Sequence, residues 1–247
     1  MPGIEQSAVP PPPPPDSSDS SLARVAGVFA SPGPTFAAIA RRPGWVLPLV
    51  ISAVLSVAAT AAILPRIDFE SALRERFAAR GRTVPEEQID QIVATQKRLA
   101  GLGYVWAALA GTVIALILAG VFLLAFKAFG WDLKLRQAFG VTSHALLPGI
   151  GVSMLLIFFV TRLDLVNPAD LGDLTRSNPG LLVDRHANPV LHSLAASLDV
   201  FTIWILVLLV IGFAAAANVT RRKSAVLIGS LWGLYVLGKA TWAAIFH

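Results

Sequence analysis

The chain contains five long runs of apolar residues that carry almost no charges, separated by segments rich in Lys, Arg, Asp and Glu. Each run is about twenty residues or longer, which is the length that an α-helix needs to cross about 30 Å of hydrocarbon. A helix on the surface of a soluble protein would instead carry a polar stripe along one side. The pattern therefore predicts an all-α integral membrane protein with five transmembrane helices, at about residues 45–64, 102–129, 138–160, 198–217 and 224–246.

The segments outside these runs predict shorter helices. Residues 21–42 place apolar side chains on one helical side, with an interruption at Ser31-Pro32-Gly33-Pro34, and this pattern favours two short interfacial helices. Between the first and second spans, an apolar stripe ends at Gly81, and Thr83-Val84-Pro85-Glu86 is typical of a capping box that starts another helix. The sequence therefore predicts an extramembrane helical hairpin between the first two spans.

The first 21 residues differ in composition from the rest of the chain. They contain an unbroken tract from Pro10 to Pro15, followed by Asp and Ser residues, and they have too few apolar side chains to form a core. We therefore expect a disordered, proline-rich tail over residues 1–21 and a single membrane domain over residues 22–247.

Composition supports the membrane assignment and excludes several kinds of chemistry. The chain is 55% hydrophobic and 14% charged, with a mean hydropathy of +0.68, so it has more apolar side chains than one water-soluble core can bury. The net charge is +5, but Lys and Arg gather beside the apolar runs, so no nucleic acid is expected as a partner. The absence of cysteine excludes disulfides, thiolate metal sites and cysteine nucleophiles.

The basic residues near the spans predict the orientation of the chain. Lys and Arg are enriched in cytoplasmic loops of membrane proteins. A cytoplasmic N-terminus and an external C-terminus place the following basic residues inside: Arg24, Arg41, Arg42, the turn from Lys127 to Arg136, and Arg221-Arg222-Lys223. The Ala- and Arg-rich composition is typical of bacterial chains, so we expect a location in the bacterial cytoplasmic membrane.

A few polar residues within or beside the spans are candidate functional residues. Asp199 enters the fourth span and Lys239 lies far along the fifth, so the two charges fall at a similar depth and are candidates for an interhelical ion pair. Two alternatives remain open: a dipole-stabilised Asp with a Lys that extends to the interface, and a transport or proton site. In the third span, Pro148 predicts a kink or break, and His144 beside it titrates near neutral pH when exposed.

Small residues repeat every four positions on the second and fifth spans, and this spacing allows helices to pack closely. Gly111 in the second span and Gly229 and Gly233 in the fifth are the candidate packing positions. The pattern predicts a compact bundle and is also compatible with a homo-oligomer.

Motifs that mark enzymes do not occur in this sequence. It has no His-Glu-x-x-His zinc motif and no phosphate-binding loop, and Gly151-Val152-Ser153-Met154 lacks the second glycine of a nucleophile elbow. We therefore expect no catalytic residues, no metal and no cofactor.

Several segments together resemble the Yip family, the Ypt/Rab-interacting membrane proteins that share a five-span domain. The resemblance covers about residues 22–246 and rests on six elements in order: Ser31-Pro32 with Phe36, Leu147-Pro148, the run from Asp199 to Trp204, Gly212, Arg221 and Trp232. It implies five helices, a cytoplasmic N-terminus and an external C-terminus. Eukaryotic relatives bind prenylated Rab GTPases in early secretory membranes, whereas the cytoplasmic arm of this chain is a short proline tail.

Two functional hypotheses follow. The first is a non-enzymatic membrane protein of the Yip type, whose partners are the lipid bilayer and a protein recruited to the cytoplasmic face. The alternative is a small solute or proton transporter, in which Asp199, Lys239 and His144 form a polar relay near the broken third span.

Overall fold

The computed structural model describes residues 20–78, 81–164, 178–184 and 187–246. Over these ranges the backbone forms eleven α-helices and no β-strand, which confirms the all-α prediction. The helices are α1 Ser21–Ala30, α2 Pro32–Arg41, α3 Val46–Ile63, α4 Phe69–Ala78, α5 Glu86–Leu99, α6 Leu102–Ala128, α7 Leu135–Ala145, α8 Gly149–Val160, α9 Pro189–Ala195, α10 Val200–Ala216 and α11 Arg221–Phe246.

Four stretches in the described ranges are long and apolar enough to cross a membrane: α3 with a following 3-10 turn, α6, the α7–α8 pair and α11. A fifth candidate consists of α9 and α10, which are bent by 53° at the break between them. The helix predicted over residues 198–217 is present as α10, and the bend lies before it, at the break after α9. Because α10 has only 17 residues, it is about 26 Å long, and α9 extends the span at an angle.

The two helices expected over residues 21–42 are present, but only α1 lies at the surface of the bundle. The hydroxyl of Ser20 accepts the backbone N–H of Ala23 and caps α1. Pro32 occupies the first turn of α2, where the missing N–H costs nothing, so the prolines start this helix. Phe36 and Ile39 are fully buried, and α2 packs against α7 and α10. It is thus part of the protein core.

The predicted hairpin between the first two spans is formed by α4 and α5. Gly81 has a φ of +63°, the left-handed conformation expected after a helix end. Arg74 of α4 joins the two helices through a carboxylate oxygen of Glu86 at 3.2 Å, and it also contacts Glu70 of its own helix at 2.9 Å. The hydrogen bond to Glu70 and, to a smaller extent, the one to Glu86 raise the pKa of Arg74.

The N-terminal ends of the two hairpin helices are stabilised by different side chains. The capping box predicted at Thr83 is wrong, because the N-cap of α5 is Pro85, whose side chain has no acceptor. Glu86 lies in the first turn, where the helix dipole favours a carboxylate. At α4, the carboxylate of Asp68 accepts the hydroxyl of Ser71 at 2.6 Å and its backbone N–H at 3.0 Å. These hydrogen bonds hold the pKa of Asp68 below 3.8.

The core of the bundle lies where α2, α6, α7 and α10 meet. The ring centroid of Phe213 lies 4.9 Å from that of Phe122 and 5.2 Å from that of Phe126. Phe36 and Val141, both fully buried, reach the same region from α2 and α7. This aromatic cluster fixes the helix ends that carry the basic residues described below.

The predicted tail and part of one loop fall outside the described residues. Residues 1–19 of the expected disordered tail are not described, while Ser20 and Ser21 begin α1. Residues 165–177, in the polar loop between the third and fourth spans, also lie outside the described ranges.

Candidate functional site

The third span is interrupted at residues 146–148, where α7 ends and α8 begins. A broken helix in a membrane leaves backbone N–H groups that must find other acceptors. Here the N–H groups of Gly149 and Ile150 bond to the carbonyls of Leu146 and Leu147, at 3.0 and 2.9 Å. Because these short-range hydrogen bonds replace the α-helical ones, the break does not expose those backbone groups to lipid.

His144 lies just before this break, and its buried ring hydrogen-bonds to the backbone of its own helix. Its Nδ1 lies 2.8 Å from the carbonyl oxygen of Gly140. Since a carbonyl can only accept, Nδ1 is the donor in this contact. The hydroxyl of Ser143 donates to the same carbonyl at 3.1 Å. Both side chains therefore hydrogen-bond within α7. These hydrogen bonds do not link His144 to Asp199 or Lys239.

A small cavity of about 170 Å³ lies beside the break in the third span. It is bounded by α3, α6, α7 and α8, and four serines face it: Ser52, Ser56, Ser143 and Ser153. These serines come from three helices and place hydroxyl groups on a lining whose other residues are apolar or glycine.

Lys239 and Asp199 lie at the same end of the bundle, but their contacts are different from the expected ion pair. Lys239 Nζ donates to the hydroxyl of Ser197 at 3.0 Å, and that hydroxyl donates to the carbonyl of Ser193 at 2.8 Å. Asp199 caps α10, where its Oδ1 accepts the N–H groups of Phe201 at 2.9 Å and Thr202 at 3.1 Å. Lys239 thus holds the break between α9 and α10 against α11.

The glycines that permit close helix contacts are mostly not those expected from the sequence repeat. A Cβ atom on Gly111 would lie 3.7 Å from Ser52 Cβ, an ordinary contact with α3. For Gly229 and Gly233, no atom of the described residues lies within 4 Å of such a Cβ atom. A tight position in the core is Gly212, where a Cβ atom would lie 2.8 Å from a ring carbon of Phe36. This glycine lies on α10, outside the repeats of the second and fifth spans from which the packing positions were predicted.

The charged residues near the helix ends are distributed unequally between the two ends of the bundle. One end contains α1, α2, the turn between α6 and α7, and the turn between α10 and α11. Residues 21–45, 127–136 and 218–223, which form this end, include nine Lys or Arg and a single acidic residue, Asp132. At the other end, the described residues of 66–101 and 162–199 include seven basic and nine acidic residues. We call the first of these the basic end.

Two cavities open at the basic end and share Lys134 and Gln137 in their linings. The larger, of about 860 Å³, lies between α1, the link from α2 to α3, and the start of α7. The smaller, of about 590 Å³, lies between the α6–α7 turn and the α10–α11 turn and includes Asp132 and Lys223. The sequence repeats gave no indication of these cavities, because their linings come from segments distant in the chain.

Comparison with known proteins identifies the family of this chain. No curated protein and no solved structure matches it. A family model described as the Yip1 domain matches residues 26–243, which is most of the chain and confirms the resemblance seen in the sequence. The chain therefore belongs to the Yip1 domain family and is a multi-pass membrane protein.

Proposed function

We propose that this protein is a non-enzymatic membrane protein that recruits partners or organises the membrane through its basic end, by binding and without turnover. The observation that carries this proposal is the separation of charge, with nine basic residues and one acidic residue at one end. A surface of this kind attracts acidic partners and the anionic face of a membrane.

The same charge distribution supports an orientation with the basic end in the cytoplasm of a bacterial cell. The positive-inside tendency counts basic residues close to the span ends, and the turns at this end are short. The arginines at the opposite end lie mostly in the longer segments around α4 and α5, together with a similar number of acids. The N-terminus is then cytoplasmic and the C-terminus external.

Orientation is tested by labelling cysteines in intact cells. The natural chain has no cysteine, so Arg222→Cys at the basic end and Leu182→Cys, an exposed residue at the other end, are each the sole target. A membrane-impermeant maleimide should label the cysteine at position 182 in whole cells and the one at position 222 only after lysis. The reverse pattern contradicts a cytoplasmic basic end.

Partner recruitment is tested by crosslinking in the native membrane followed by mass spectrometry. A photo-reactive amino acid replaces Lys127 at the basic end, and a control chain carries it in place of Glu87 on α5; both side chains are exposed. We expect a specific protein adduct at position 127 that is missing at position 87. Chains that yield no specific protein adduct from the basic end, while remaining folded, contradict recruitment.

A second candidate function is the passage of a small polar solute or protons, supported by the serine-lined cavity at the broken third span. In this candidate, Ser52 and Ser143 contact the solute, and Asp199, Lys239 and His144, which do not line the cavity, form the rest of the polar relay. The protein reconstituted in liposomes should then move protons or solute, and Ser52→Ala with Ser143→Ala should abolish the flux without unfolding the chain. Liposomes in which the wild-type protein moves nothing contradict it.

A further inference from the structure

The larger cavity at the basic end is lined by five cationic side chains. Arg24 comes from α1, Arg41 and Arg42 from the end of α2, and Lys134 and Arg136 from the start of α7. Among the described residues that line this cavity there is no Asp or Glu. Three separate segments of the chain therefore direct positive charge toward one volume of about 860 Å³, which is in the size range of small-molecule sites.

Hydrogen bonds hold the walls of this cavity in place. Arg24 is 8% exposed, and its Nη1 donates to the backbone carbonyl of Arg42 at 2.8 Å. Gln137 bridges two walls, since its Nε2 donates to the carbonyl of Ala40 at 3.0 Å and its Oε1 accepts the N–H of Lys134 at 3.1 Å. The backbone of the cavity walls and the side chain of Arg24 are thus held by the fold, which lowers the ordering cost of binding.

Three of the five cations are available to a ligand. The side chains of Arg41, Lys134 and Arg136 are exposed, and none of the three forms an ion pair with another residue that the structure describes. Concentrated like charges repel one another, so an anion between them gains more than it would beside a single cation.

The cavity also borders a surface suited to lipid. Leu135 lines it, and Leu22 and Trp45 immediately follow the lining residues Ser21 and Gly44 in the chain. All three side chains are exposed and apolar. Tryptophan is enriched at the level of lipid headgroups, and α3 enters its apolar stretch directly after Trp45. A ligand with an anionic head and apolar chains matches both surfaces.

We propose that this cavity binds the phosphate group of an anionic phospholipid from the adjoining leaflet. Arg41, Lys134 and Arg136 contact the phosphate oxygens, while Arg24 and Arg42 form the positive wall behind it. The planar guanidinium groups of arginine match phosphate geometry with paired hydrogen bonds. The acyl chains lie along Trp45 and Leu135. This site is independent of protein recruitment, because lipid binding requires no protein partner.

The test measures lipid binding to the full chain purified in a mild detergent, by native mass spectrometry. Phosphatidylglycerol and phosphatidylcholine with the same acyl chains are the probes. We expect a single phosphatidylglycerol to bind with an affinity about tenfold or more above that of phosphatidylcholine, because only the former has net negative charge. Equal binding of the two lipids overturns the proposal.

Matched double variants separate this cavity from the general charge of the basic end. Arg41→Gln with Arg136→Gln should lower the affinity for phosphatidylglycerol by about fivefold or more. The control, Lys127→Gln with Arg222→Gln, removes the same charge from exposed residues at the same end that line neither cavity, and should change it by about twofold or less. Equal losses in both pairs overturn the assignment to the cavity.

Two further measurements are a competition with inorganic phosphate, which identifies the ligand, and a single-residue variant, which is less prone to unfold than the double variant. Inorganic phosphate in the millimolar range should leave the lipid bound, and displacement by it shows a site for free phosphate and overturns the lipid assignment. Lys134→Gln changes a single exposed side chain and should weaken binding by about threefold, so the proposal stays testable if the double variant unfolds. Unaltered binding by this variant contradicts it.

Discussion

Replacing Gly212 with alanine tests a tight contact between helices in the core of the bundle. A Cβ atom at this position would lie 2.8 Å from Cδ1 and 3.1 Å from Cε1 of Phe36, and closer still to Val141 Cγ1. Phe36 and Val141 are both fully buried, so neither side chain has free space into which to move. The added methyl group must therefore separate α10 from α2 and α7.

The expected change in the free energy of unfolding is the difference between two opposing effects of the added methyl group. Overpacking a well-filled core destabilises a protein by about 1–3 kcal/mol, whereas glycine to alanine in a helix stabilises it by up to about 1 kcal/mol. We therefore expect Gly212→Ala to lower the free energy of unfolding by about 1–2 kcal/mol, a change of roughly 5- to 30-fold in the folded-to-unfolded ratio.

Unfolding in mixed micelles with increasing SDS, followed by tryptophan fluorescence, measures this change. Gly229→Ala on α11 is the matched control, because no described atom lies within 4 Å of the new Cβ, and its free energy of unfolding should stay equal or rise slightly. Adding Phe36→Leu to Gly212→Ala should restore part of the loss, since the two residues are in contact. A Gly212→Ala protein as stable as the wild type refutes this account of the core.

Three other predictions concern polar contacts. Ser197→Ala should lower the free energy of unfolding by about 1 kcal/mol in the wild type and by less in a Lys239→Met background, as measured in the same SDS titration. Asp199→Ala should cost about 1 kcal/mol because two helix N–H groups lose their acceptor, and Asp199→Asn should cost less; equal costs contradict the capping role. Because the folded-state pKa of Asp68 is lowered from 3.8, its stabilising contribution is complete above pH 3.8 and disappears as the pH falls further. In NMR titrations of the carboxyl carbon, Ser71→Ala should raise this pKa toward 3.8, and an unchanged midpoint contradicts the hydrogen-bond cause.

Features encoded by local composition could be predicted from the sequence. The apolar runs located α3, α6 and α11, because a stretch of about twenty residues with few or no charges has the length and composition of a membrane-spanning helix. The amphipathic stripe before Gly81 located α4, and the positive φ of that glycine ends the helix region as expected. These properties depend on residues close together in the chain.

Features that depend on a distant partner could not be predicted in the same way. The apolar side of α2 looked suited to a membrane surface, but an apolar stripe on ten residues is equally suited to a protein groove, and Phe36 and Ile39 are buried. The depth of Lys239 followed from the helical rise, whereas its bond to Ser197 depends on the bend between α9 and α10. Likewise, the cavity at the basic end needs Gln137 of α7 to reach Ala40 of α2.

The polar groups of this protein divide into two sets with different consequences. Inside the spans, His144 bonds to its own helix and Lys239 to the α9–α10 break, so their interactions serve to satisfy the bundle. At the basic end, Arg41 and Arg136 make no such contacts with the described residues. Changes in the first set should therefore alter stability more than binding, and changes in the second should alter binding more than stability. The SDS titration and the lipid titration, applied to both sets, measure this separation directly, and a basic-end variant that loses stability as much as lipid affinity contradicts it.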